Sequence, residues 1–262
     1  MIRLFTTYFP ISDPIRKKEI ETALQLNFQL SALDEIHILN EGGFIEQFDN
    51  PKIHIVEIKG RPTYTRFFKA INKITSENDI NIIANTDISF DKNIALLKKL
   101  NWEHKSMALS RWEYNSDGST FLYNHNDSQD TWIFKGKIKN VNADFPLGVP
   151  RCDNRFMYEL QKGGYQVINP AFSIKTYHHH AGIRKKYNTE NLPHFVEPPY
   201  AYLYPHNLFG FCRTILFNIT HSHKFAPYRY DIKKINSWII VRLIRKLAKA
   251  FYNKDLPLIG YK

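Results

Sequence analysis

Short apolar runs alternate with amphipathic stretches from the start of the chain, and this alternation constrains the fold more than any other feature. Residues 2–9 (IRLFTTYF) are apolar until Thr6 and Thr7. Residues 14–31 carry Pro14 at a helix start, with Ile15, Ile20, Ala23, Leu24 and Phe28 recurring near helical spacing. EIHIL at 35–39 and KIHIVEI at 52–58 read as strands, 62–77 as a helix opened by Pro62, and INIIA at 80–84 as a buried strand ending at Asn85-Thr86-Asp87. The order strand, helix, strand, strand, helix, strand predicts an α/β domain: a mostly parallel sheet with helices on both faces. Further along, 91–100 reads as a helix, 106–112 as a strand, 115–131 as a polar loop, 153–163 as a helix and 165–169 as a strand. Beyond residue 190 the pattern changes to a proline-punctuated aromatic stretch and a closing basic helix at 232–252. This divides the chain into a main domain, 1–190, and a C-terminal extension, 191–262.

In sheets of this kind ligands bind beyond the carboxyl ends of the strands. Polar residues following each strand are therefore the candidates: Thr6 and Tyr8, Arg61, and Asn85-Thr86-Asp87. Asp87 either caps the next helix or holds a divalent cation that bridges two phosphates. Asp153 opens a predicted helix ended by Gly163 and Gly164. It is either a capping residue or a general base. Tyr177 precedes three adjacent histidines, of which His178 and His180 share one side of an extended chain. Imidazole suits Mn²⁺ and hydrogen-bonds phosphate, although a solvated loop explains the run as well.

The formal net charge of +11 favours anionic partners without choosing among nucleic acid, phosphorylated substrates and acidic lipid. Aromatics make up 15% of the chain, enough to fill a core or to stack on sugars. Cys152 and Cys212 are too few for a disulfide framework and form no CxxC pair, which points to a reducing compartment. No basic segment followed by an apolar run opens the chain, so no secretory signal is expected. No uncharged apolar stretch is long enough to span a bilayer.

The order of these sites resembles the GT-A type glycosyltransferases, particularly the large inverting, family-2-like group. In those proteins a central strand ends in a DXD metal motif. A later ED pair opens a helix ending in Gly-aromatic, and a histidine follows. Here Asn85-Thr86-Asp87 stands in the DXD position, an NTD variant, and Cys152-Asp153 stands in the ED position. The resemblance covers residues 2–180. It implies a GT-A fold and metal-assisted, inverting transfer of a sugar from a UDP, GDP or dTDP sugar to a glycan or lipid-linked acceptor in polysaccharide biosynthesis. On this reading Asp153 is the base, and Asp87, His178 and His180 hold Mn²⁺ or Mg²⁺. Thr6, Tyr8, Arg61, Tyr64, Asn85, Thr86 and Asp87 line the donor site, while Arg111, Trp112, Asp130 and Trp132 line the acceptor site.

The stretch 232–252 mixes Ile235, Ile239, Leu243 and Leu247 with six lysines and arginines. It reads as a surface anchor or as a helix packed on the domain. The anchor reading implies a cytoplasmic protein, peripheral at the inner face of a membrane. Two other functions compete. Nucleotidyl transfer to sugar phosphates uses similar parts but needs a glycine- and Lys/Arg-rich first loop, which Thr6-Thr7-Tyr8-Phe9 does not supply. A non-catalytic basic module binding nucleic acid or membrane explains the charge but not acids at strand ends, so no nucleic-acid partner is expected.

Overall fold

The computed structural model describes residues 1–43, 50–115, 117–180, 195–210, 212–214, 216 and 239–252. Strands β1 (Ile2–Tyr8), β2 (Glu35–Asn40), β3 (Ile53–Glu57) and β4 (Ile80–Ala84) alternate with helices α1 (Pro14–Gln29) and α2 (Tyr64–Ile74). β5 (Ile88–Phe90), a 3-10 helix (Lys92–Lys99), β6 (Lys105–Leu109), β7 (Trp112–Tyr114), β8 (Thr120–Leu122) and β9 (Thr131–Lys135) follow. Helix α3 (Cys152–Lys162), β10 (Gln166–Ile168), β11 (Thr176–His179) and α4 (Ile239–Tyr252) complete the described elements.

A seven-stranded sheet has the order β10-β6-β9-β4-β1-β2-β3. All its pairings are parallel except those of β9, which runs antiparallel to both β4 and β6. The expected mostly parallel α/β architecture is therefore present. Alternate residues of each strand serve opposite faces, as the pleat demands. Leu4, Ile82, Met107 and Ile133 pack with Ile20, Leu24 and Phe28 of α1. Phe5, Ile83, Ala108 and Trp132 pack with Phe67 and Ile71 of α2 and with Phe156 and Leu160 of α3.

Several boundaries differ from the sequence reading. Helix α2 starts at Tyr64 behind Thr63, leaving Pro62 outside. The stretch 106–112 is two strands: Ser110 and Arg111 break it, and β7 belongs to a second, four-stranded sheet of order β5-β11-β7-β8. The polar loop at 115–131 contains β8, and the helix expected at 91–100 is of the tighter 3-10 type. Of the basic helix, 239–252 is helical and 232–238 lies outside the described residues. Residues 201–206 return to the body, where Ala201 N–H donates to Asn154 and His206 N–H to Asn169. No described helix is long and apolar enough to cross a membrane.

Candidate functional site

Because β9 is antiparallel to β4, its first residues lie beside the last residues of β4, with Ala84 opposite Thr131. Asn85 extends this contact. Its N–H donates to the Asp130 carbonyl at 3.0 Å, and its side-chain amide donates to Asp130 Oδ1 at 2.7 Å. Thr86 ties the same corner to β1, donating to the Thr7 carbonyl at 3.0 Å and meeting the Thr7 hydroxyl at 2.8 Å. Thr6 donates to the Ala84 carbonyl at 3.0 Å. Threonines at the ends of neighbouring parallel strands thus lock the turn that presents Asp87.

The second sheet then brings the histidines to this corner. β11 pairs antiparallel with β5, setting His178 opposite Ile88, and parallel with β7, setting His178 opposite Glu113. His178 Nε2 is 3.1 Å from Asp87 Oδ2, and its Nδ1 is 2.9 Å from Glu113 Oε2. Arg16 of α1 donates to Asp87 Oδ2 at 2.5 Å and to Glu19 at 2.9 Å. Arg111 donates to Glu113 at 2.6 Å and to Asp130 Oδ2 at 2.6 Å. One chain of alternating charge therefore runs Arg16, Asp87, His178, Glu113, Arg111, Asp130.

Burial works against charge on Asp87 and His178, and the partners prevail. Burial alone would raise the Asp87 carboxyl, but His178 and Arg16 hold it far below the usual carboxylate range. Burial likewise pulls His178 down, yet the Asp87 and Glu113 carboxylates raise it to about 9. His178 is therefore an imidazolium at neutral pH. A folded-state value above the unfolded one adds stability that is complete below the unfolded value and is lost as pH rises through the folded value. Wild-type stability should accordingly fall between about pH 6.5 and 9, by up to about 3 kcal/mol, and His178→Gln should flatten that slope in denaturant titrations.

Asp153 stands in the first turn of α3, behind an N-cap filled by Arg151 in the left-handed region (φ 69°), so it is not the capping residue. It is half-buried, with Oδ1 accepting from Asn154 N–H at 2.9 Å and Oδ2 from Gln129 N–H at 3.3 Å. Gln129 adjoins Asp130, which joins the two acids of the sequence reading at one end of the sheet. Burial, and next the charge of Asp130, push Asp153 up to about 7. A helix N-terminus favours the anion by about 0.3–1 kcal/mol, too little to offset these effects.

Other candidates lie elsewhere. Trp132 is fully buried against Tyr64 and Phe156, which corrects its expected stacking on an acceptor sugar. Tyr64 is buried too, with its hydroxyl 3.6 Å from Cys152 Sγ, so it does not reach a donor site. Trp112 is also core: its indole N–H donates to the Ala171 carbonyl at 2.8 Å. All three follow the general rule that large aromatics beside a sheet fill its core first. Tyr8 is buried with its hydroxyl 3.4 Å from Glu21, and Arg61 is exposed beside Gly148. The rings of His178 and His180 stack at 5.5 Å, as alternation along a strand requires. His180 faces Glu19 at 3.4 Å, while the intervening His179 faces Ser89 at 2.8 Å.

Arg16 and Glu19 have no role assigned from sequence, and Glu113 stands in the Ser110–Glu113 stretch expected on the acceptor side. Arg16 sits in an ordinary helical RKK run, and only the fold shows that it reaches Asp87.

For a cation, the useful observation is Asp87 Oδ1, which is buried without a hydrogen-bond partner among the described residues. One carboxylate oxygen completed by substrate phosphates is an ordinary arrangement for Mg²⁺-like ions. Asp87, His178 and His180 do not converge as a three-ligand group. Among the described residues the group that does is Glu35, His37 and His54, at the opposite end of the strands. There Glu35 is already held by Arg3 at 2.6 Å and by His37 at 3.0 Å. A cavity of about 230 Å³ lined by His104, Lys105, Lys135 and Lys139 also lies at that far end.

No family model matches the sequence, and no curated protein matches it. Among solved structures, a Pyrobaculum calidifontis mannosyltransferase in complex with GDP-Man and Mn²⁺ is 14% identical, with a TM-score of 0.43, over 64% of this chain and 54% of its own. TarS of S. aureus in complex with UDP-GlcNAc is 10% identical, with a TM-score of 0.44, over 72% of this chain and 60% of its own. The 2-C-methyl-D-erythritol 4-phosphate cytidylyltransferase of Francisella tularensis is 11% identical, with a TM-score of 0.35, over 52% of this chain and 73% of its own. The chain thus spans little more than half the length of the mannosyltransferase. Sugar transfer and nucleotidyl transfer both appear among these likenesses, and with every TM-score quoted below 0.5 they do not choose between the two activities.

Proposed function

We propose that this chain is a glycosyltransferase that moves a sugar from a nucleotide-diphosphate donor to a hydroxyl of a glycan or lipid-linked acceptor, inverting the anomeric carbon. The observation that supports this best is that Asp87 and Asp153 lie at the same end of the sheet, linked by a chain of contacts through His178, Glu113, Arg111, Asp130 and Gln129. The two acids differ sharply in environment. Asp87 is locked as an anion between cations, and Asp153, with a value of about 7, can take up and release a proton near neutrality.

The acceptor oxygen bonds to the anomeric carbon as its proton passes to Asp153. The bond from that carbon to the diphosphate oxygen breaks, and the nucleoside diphosphate leaves with the electron pair. Arg16 and the His178 imidazolium offset the charge growing on the leaving group. A bound Mn²⁺ or Mg²⁺ would be held by the open Asp87 Oδ1 and would supply further charge neutralisation there. Asn85 and Thr86 keep the turn rigid.

Thermal-shift titration with UDP-, GDP- and dTDP-sugars, with and without Mn²⁺, tests the donor. One nucleotide class should raise the melting temperature of the wild type, more so with Mn²⁺. Absence of any shift, together with steeply salt-dependent RNA or DNA binding, would replace this reading with a nucleic-acid-binding one.

A further inference from the structure

Helix α4 separates its residues sharply by chemistry. At about 100° per residue, Arg242, Arg245, Lys246 and Lys249 fall within an arc of about 100°. Leu243, Ile244, Leu247 and Phe251 occupy the remaining arc, and the segment Ile239–Tyr252 contains no acidic residue. These apolar side chains stand half or more exposed: Leu243 is 52% exposed, Ile244 52%, Leu247 53% and Phe251 76%. Leaving four large apolar side chains in water forgoes roughly 1.5–3 kcal/mol for each one that burial would otherwise stabilise. The 14 described residues of the helix are about 21 Å long, short of the roughly 30 Å hydrocarbon core.

We propose that α4 lies flat in the surface of an anionic phospholipid bilayer. Its apolar arc sinks about 5–10 Å to the headgroup boundary, and its basic arc meets the lipid phosphates. The charge pattern selects this occupant. A second copy of α4 packed apolar face to apolar face would cover the leucines but offer no anion to the basic arcs, which lie on the far sides. A nucleic acid would leave the leucines and Phe251 in water. The inference is independent of the sugar-transfer reading, since no residue of α4 is among those argued to act in the site around Asp87.

The test is co-sedimentation of the full chain with phosphatidylcholine vesicles, alone or containing phosphatidylglycerol. Wild type should sediment with the anionic vesicles only, and less so as salt is raised. Arg242→Gln with Lys246→Gln should lower partition about twenty-five-fold, at roughly fivefold per cation removed. Leu243→Asn with Leu247→Asn should abolish binding at any salt. Both pairs should melt as wild type does, because these side chains are solvent-exposed. Failure of wild type to sediment would overturn the proposal, as would full binding by the asparagine pair. So would a leucine-dependent dimer that ignores lipid.

Discussion

Asp153→Asn should lose sugar transfer by about 10²–10⁴-fold while leaving donor affinity within a few-fold of wild type. Asparagine keeps the shape but can keep only one of the two backbone N–H bonds, because these fall on different oxygens of Asp153 and the amide nitrogen donates; it also cannot take a proton. Wild-type kcat/KM should rise with pH through about 7 as Asp153 ionises. Stability should move the other way. The folded-state value lies above the ordinary 3.8, so between about pH 4 and 7 the unfolded chain releases the proton while the folded chain retains it. Wild type should lose stability across that window, and Asp153→Asn should lack that component. At pH 8 the inactive variant should be at least as stable as wild type, judged by urea unfolding. A variant that is both inactive and unstable at pH 8 would mean that Asp153 serves the fold.

Asp87→Ala carries the second large effect, and it falls on binding and stability together. The substitution leaves the Arg16 guanidinium and the His178 imidazolium without the carboxylate that now bonds both. Breaking a buried pair in this way costs about 3–5 kcal/mol. The charge loss should also lower the His178 value from about 9, which proton-detected titration of the imidazole would register. Donor binding should vanish, as should any Mn²⁺ enhancement of it. Asp87→Asn, which keeps the volume, should recover much of the stability and little of the binding. Recovery of both by asparagine would remove the charge argument.

The sequence revealed the sheet readily because its strands are short, apolar and buried on both faces, as at INIIA. It concealed β9 because Asp130-Thr131-Trp132 adjoins a polar loop, and only the antiparallel insertion between β4 and β6 makes it a strand. It concealed the second sheet for a similar reason: β5, β7, β8 and β11 each have three or four residues, too few to show a period. Asp87, Asp153 and His178 were legible because carboxylates at strand ends and a run of histidines are conspicuous. Arg16 was not, because its importance lies in reaching across from another element. Trp112, Trp132 and Tyr64 were misassigned because an aromatic that fills a core looks the same in a sequence as one that holds a sugar.

The central claim concerns which bond of the donor breaks. Incubating wild type and Asp153→Asn with the stabilising nucleotide-sugar and following products by phosphorus NMR reads this directly. The account predicts nucleoside diphosphate from the wild type, formed at least a hundredfold faster than from the variant. Release of sugar phosphate, with the break at the diphosphate linkage, would contradict it, and so would equal rates from the two proteins.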